Sequence, residues 1–198
     1  MLTQEIKVEK KEKKEFAPLP ENFYQVELLD IDSEVRPTYK TRNEPKENQI
    51  LETILKFQFT LLSGKDKDGS SLRGRNVWEN FVPTYLYEGK NGKNKLYQIT
   101  EALLGHNLTQ KEEMEMDTTF LNSLIGSQCR LGIKNTKSGD KVYSNIETYY
   151  PIEQEMTALS EEEKEVARVK DKTKDEDAEK QLLEMTGEDV IDDANPFG

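Results

Sequence analysis

The segment Ile50–Leu62, ILETILKFQFTLL, carries the pattern of an extended strand. Leu51, Leu55, Phe57, Phe59 and Leu61 fall on one parity, and Glu52, Ile54, Lys56, Gln58 and Thr60 on the other. Successive strand side chains point to opposite faces, so one face is buried and the other is mostly polar. Downstream, Ser63–Ser71 (SGKDKDGSS) has the Gly and Asp content of a hairpin connection, and Leu72–Val82 (LRGRNVWENFV) returns as a third strand. Upstream, Asn22–Asp32 (NFYQVELLDID) places Tyr24, Val26 and Leu28 on one face and supplies the first strand. Residues 33–49, interrupted by Pro37 and Pro45, read as a long polar loop between the first two strands.

Beyond residue 95 the period changes. Leu96, Ile99 and Leu103 follow helical spacing, and Gly105 suits a helix C-terminus because glycine adopts the left-handed conformation without steric cost. Asp117 is an N-cap for a second short helix over Thr118–Ile125, closed by Gly126. Gln128–Lys134 and Lys141–Tyr149 then read as a strand pair joined by Asn135–Asp140 (NTKSGD). Three strands, a helical insert and two strands predict a mainly β protein. The corresponding architecture is a five-stranded OB-fold-like Greek-key barrel with its helix between strands three and four.

The charge is unevenly distributed. Of 39 acidic and 28 basic residues, 16 and 6 lie within residues 151–198, which therefore hold -10 of the net -11. Residues 36–100 hold 12 basic and 7 acidic residues, so the middle of the chain is basic. Residues 1–15 alternate Lys and Glu with almost nothing to bury, and read as a flexible leader. The predicted organisation is leader 1–15, barrel domain 16–152 and acidic tail 153–198. Within that tail, Ser160 and Glu163 match a capping box, yet the following residues lack an apolar stripe, which predicts a transient, undocked helix.

Cys129 and His106 are the only residues of their types, which excludes an internal disulfide and a Cys/His zinc site. No run reaches the ~18 apolar residues of a membrane span, and no apolar signal segment opens the chain, so the expected location is the cytoplasm. Glu112, Glu113, Glu115 and Asp117 read as a solvated helix start. Asp66, Asp68 and Gly69 resemble part of a calcium loop but lack its closing Glu. No nucleophile–base set can be assembled around one histidine, so the expectation is a non-enzyme without metal or cofactor.

Binding of unpaired nucleic acid needs cations for phosphates and aromatic faces for bases. The third strand offers Arg73, Arg75 and Trp78, with Tyr85 and Tyr87 just beyond, and Lys56 projects from the polar parity of its neighbour. An OB-fold binds on strands two and three, flanked by the first-to-second and fourth-to-fifth loops. The first loop offers Arg36, Tyr39, Lys40 and Arg42, and the second offers Lys137 and Lys141 next to Tyr143. The plainer reading is that a lone strand Trp packs in a core and that hairpin lysines are merely solvated. The coincidence of basic excess with the binding strands favours DNA.

The last residues, Asp189-Val190-Ile191-Asp192-Asp193-Ala194-Asn195-Pro196-Phe197, resemble the acidic tip of bacterial single-stranded DNA-binding proteins. The resemblance implies docking to replication or recombination enzymes, with Phe197 as anchor, Pro196 as stiffener, and Asp192 and Asp193 as electrostatic contacts. Gly198 departs from the pattern by moving the α-carboxylate one residue further on. Gly74-Arg75-Asn76-Val77-Trp78-Glu79-Asn80-Phe81, the Leu96–Gly105 segment and Asn145-Ile146-Glu147-Thr148-Tyr149 are similar to phage-encoded single-stranded DNA-binding proteins of the OB-fold type. The expected function is therefore coating of single-stranded DNA and recruitment of partner enzymes, with self-association left open. The tethered tail would compete with DNA for the basic groove. The alternative is an OB-like adaptor that binds protein and no nucleic acid.

Overall fold

The computed structural model describes residues 17–90, 92–139 and 141–168. The leader 1–15 and the tip residues Asp192, Asp193, Pro196 and Phe197 lie outside the described residues. The fold is mainly β. Its centre is a five-stranded antiparallel sheet of β1 (Asn22–Pro37), β2 (Leu51–Leu61), β3 (Asn76–Pro83), β6 (Gln128–Ser138) and β7 (Lys141–Tyr150). The spatial order is β3-β2-β1-β6-β7. A two-residue ribbon, β4 (Glu88–Gly89) with β5 (Gly92–Lys93), sits between β3 and the helices α1 (Lys95–Leu104), α2 (Gln110–Met114) and α3 (Thr118–Ser123).

Register decides which face each residue serves. Leu28 lies opposite Phe59, Ile31 opposite Phe57, and Val77 opposite Phe59, so one face is continuously apolar. A bulge between Leu28 and Asp30 shifts the parity of β1 and allows adjacent Leu28 and Leu29 both to be buried. Tyr24, Val26, Cys129, Leu131 and Ile133 extend this inner face across β6. Helix α1 covers it with Leu96, Ile99, Ala102 and Leu103, the helical stripe that the sequence predicts. The Asn94 side chain caps its N-terminus at Tyr97 N, and Gly105, at φ 78°, terminates it. Asp117 caps α3 at Phe120 N as expected, and Thr109 with Glu112 adds a capping box on α2.

Three expectations require correction. First, β1 runs on to Pro37, so Arg36 belongs to a strand and the loop shrinks to residues 38–50. The β1–β2 ladder continues to Pro37–Leu51 because a proline at a strand end needs no ladder donor. Second, β3 begins at Asn76, so Arg73 and Arg75 lie in the turn before it. Gly74, with its N–H bonded to Leu61 O, breaks the alternation there. Third, the sheet is open. Among the described residues β3 and β7 share no backbone ladder. Instead Tyr149 Oη of β7 donates to Glu79 of β3, and Lys95 Nζ of α1 reaches the same carboxylate at 2.5 Å. The two sheet edges are thus bridged by side chains around α1. Burial and the neighbouring Glu79 charge push the Tyr149 hydroxyl far above the usual phenol range.

The acidic segment after residue 152 also differs from the expectation of an undocked tail. Residues 153–168 cross the outer face of the sheet as a strap, and residues 161–168 form helix α4. Leu159 and Ala167 are buried, but most of the attachment is polar. Arg130 Nη1 binds Glu153 at 2.8 Å, Gln25 Nε2 donates to Gln154 O, and Gln128 exchanges two hydrogen bonds with the Met156 backbone. Glu27, 1% exposed, accepts from Leu159 N at 3.0 Å and from Lys164 Nζ at 2.9 Å. Asn76 Nδ2 closes the far end by donating to Ala167 O.

Candidate nucleic-acid interface

The outer parity of the sheet is polar enough to face a ligand, and the strap divides it. On the β2–β3 side, Trp78 lies opposite Gln58 and is half-buried, while Lys56 and Arg36 share its parity. Both cations are occupied. Lys56 Nζ pairs with Glu34, and Arg36 Nη2 lies 3.2 Å from Glu52. The Arg36 guanidinium also covers the exposed Phe81 ring at 4.0 Å. A bulge in the β2–β3 ladder places Phe81 at φ 70°, unusual for a bulky residue, and turns its ring outward. Phe81 was missed as a site residue; alternation alone would have put it on the inner face.

Arg73 does not project into a groove. Its guanidinium donates to Leu62 O, Thr157 O and Ala158 O and pairs with Glu163 at 3.1 Å. Glu163 is held below the usual carboxylate range first by Arg73 and then by the Ser160 N–H of the capping box. Arg75 donates to Ala17 O, tying the entry of the chain to the sheet. Both arginines therefore anchor chain segments.

The loop 38–50 is held by Thr41, which is buried and exchanges hydrogen bonds with both backbone groups of Ile50. Tyr39, Lys40 and Arg42 are exposed on it, and the Arg42 guanidinium lies 4.3 Å from the Tyr39 ring centroid. Tyr85 and Tyr87 are exposed on the segment after β3, which Asn94 fixes by contacts to both their carbonyls. Asp66 accepts from Asp68 N and Ser70 N, so this carboxylate serves its own turn. Among the described residues no group of three or more His, Cys, Asp or Glu side chains is placed to hold a metal. No helix of the described residues is long and apolar enough to cross a membrane.

On the other side of the strap, β6 and β7 form a hairpin extending past the start of β1. Lys137 lies opposite Val142, Lys141 opposite Ser138, and Tyr143 opposite Thr136, so Lys141 and Tyr143 share the outer parity. All three site residues are exposed. The same parity carries two aromatics that the sequence reading passed over, Phe23 and Tyr150, in edge-to-face contact with centroids 5.7 Å apart. Phe23 opens β1 directly beside the inward Tyr24, and its outward direction is fixed only once the β1–β6 register is known.

No protein-family model matches the chain, and no curated protein matches it in sequence.

Proposed function

We propose that the chain binds single-stranded nucleic acid, most naturally DNA, on the outer face of an open OB-like sheet. The observation that carries this reading is the interleaving of exposed aromatics with cations along that face and its loops. Tyr39 with Arg42, and Phe23 and Tyr150 with Lys134 and Lys141, supply faces for bases beside charges for phosphates. The strand order, with helices inserted between the third and fourth sheet strands, supports the OB-like reading. Side-chain bridging through Glu79 would stand in for the missing ladder.

The tip resembling that of bacterial single-stranded DNA-binding proteins supports recruitment of replication or recombination enzymes as the second role. Residues 169–198, with 10 acidic and 4 basic side chains, hold a net charge of -6 that would compete with DNA for the cations. Because the strap is part of the folded body, this competition belongs to residues beyond 168. Truncation after residue 168 should tighten DNA binding most at low salt, where screening is weakest.

Fluorescence anisotropy of labelled oligo-dT with the full chain tests the proposal. Binding should weaken with salt, with a log–log slope near ~-0.7 per phosphate neutralised. Absence of binding at low salt overturns it. A protein-binding adaptor is then the better reading, and one observation favours it: Val35, Ile50 and Leu51 are each more than 60% exposed at one end of the β1–β2 arm.

A further inference from the structure

We propose that the principal base-stacking platform is Phe23 with Tyr150, on the β6–β7 side of the strap, rather than Trp78 on the β2–β3 side. The inference rests on the single-stranded DNA reading above and specifies where the bases lie.

Accessibility is the first ground. Phe23 is 59% and Tyr150 42% exposed, whereas Trp78 is half-buried against the sheet. An interplanar angle of 67° makes the two rings a notch with one face in each direction, suited to a base stacked on one ring and edged by the other.

The second ground is construction. Gly132 lies opposite both Phe23 and Thr148 and has no space for a side chain. A Cβ there would stand 3.0 Å from Phe23 Cε1 and 2.2 Å from Thr148 Oγ1. Phe23 therefore rests directly over the β6 backbone, with a strand glycine providing the seat. Glycine inside a strand weakens it and often marks close approach of another group, so this position has a local reason.

Charge is the third ground. The outer parity of the β2–β3 side holds Asp30, Asp32, Glu34 and Glu52 against Lys56 and Arg36, and both cations already pair with two of those acids. That surface repels a phosphate chain. The outer parity of β6 and β7 carries three basic side chains, Arg130, Lys134 and Lys141, with Glu147 beside Lys134. Lys134 pairs with Glu147 and Arg130 with Glu153, but the Lys134–Glu147 pair and the Glu153 carboxylate are more than half exposed. Such pairs hold weakly and exchange partners readily. The bland alternative, an aromatic pair merely shielding the sheet, leaves this charge contrast unexplained.

The full chain is tested in two ways. Iodouracil-substituted oligo-dT is photocrosslinked to the unaltered protein and the adducts are mapped by mass spectrometry. Adducts should fall on Phe23, Tyr150 or neighbouring Tyr143, and adducts confined to Trp78 or Phe81 would overturn the assignment. In parallel, Phe23→Leu and Tyr150→Leu should each weaken oligo-dT binding by roughly 5- to 150-fold, the range expected for one lost stacking partner. Trp78→Leu should leave the affinity nearly unchanged. Thermal melting of each variant separates lost contacts from lost fold. Wild-type protein that fails to bind oligo-dT refutes the DNA reading itself. Wild-type binding with unaffected Phe23 and Tyr150 variants refutes this inference alone.

Discussion

Replacing Lys164 with Met should show whether the acidic strap is part of the folded body. Lys164 is the only cation within ion-pair distance of the Glu27 carboxylate among the described residues; its ammonium lies 2.9 Å away. Glu27 is 1% exposed, and the Lys164 side chain retains 17% exposure. Met keeps the length and packing of the Lys stem but leaves Glu27 with the Leu159 N–H alone. Breaking one side of a buried pair costs ~3–5 kcal/mol, because the remaining charge is stranded in a poor dielectric. The partial exposure of Lys164 admits water, so the lower end, about 3 kcal/mol, applies. For a folded body of this size that corresponds to a melting temperature lowered by roughly 6–12 °C. The double variant Glu27→Gln/Lys164→Met should recover most of the loss, since it strands no charge. Thermal unfolding followed by circular dichroism measures the shift, and hydrogen exchange at Leu159 and residues 161–167 measures release of the strap as a unit. A Lys164→Met variant melting within about 2 °C of the parent, with unchanged exchange in the strap, would refute the docking. Glu27 also raises the Lys164 pKa above its ordinary 10.5. The pair's contribution is therefore complete below that value and is lost as pH rises through the raised one.

The strap and the sheet edges yield three further expectations. Truncation after residue 168 should leave thermal stability nearly unchanged, whereas truncation after 152 should lower it by several degrees, because it exposes Glu27 and leaves the Arg73 guanidinium with Leu62 O in place of its four strap contacts; equal melting of the two would contradict the division. Glu163 has its carboxyl pKa lowered from an ordinary 4.5 by Arg73, so its contribution is present above that pH and fades as pH falls through the lowered value. Strap protection against limited proteolysis should thus decline on the acid side, and Glu163→Gln should remove that dependence. Tyr149→Phe should cost about 1.5–3 kcal/mol in chemical denaturation, the range for a hydrogen bond to a charged group, by removing the hydroxyl that joins β7 to Glu79 of β3.

The parts of the fold legible in the sequence were those governed by hydropathy and local chemistry. Ile50–Leu62 alternates because its inner face is built from Phe57, Phe59 and Leu61, and the strand occupies Leu51–Leu61. Asp117 and Gly105 marked helix ends because capping is decided within a few residues. Long-range polar complementarity was not legible. The strap has few buried apolar residues, with Leu159 and Ala167 as its anchors, and a search for an apolar stripe discards it. What holds it is Glu27, Gln25, Gln128, Arg73 and Asn76, distributed over β1, the turn before β3, β3 and β6. Each is an ordinary polar residue until the sheet assembles.

The same reasoning changes how Arg73 and Arg75 should be understood. In the sequence they stand beside Trp78 and suggest a phosphate track. In the fold both guanidiniums are committed to backbone carbonyls, one at each end of the chain's passage over the sheet. Arg73, which satisfies three carbonyls and a carboxylate, must leave them unpaired before it can meet a phosphate, and that desolvation offsets the gain. The exposed lysines of the β6–β7 hairpin carry a smaller penalty of this kind. On the proposed DNA-binding reading, the electrostatic path is therefore favoured where the cations remain hydrated, which is the side of the strap where Phe23 and Tyr150 present their rings.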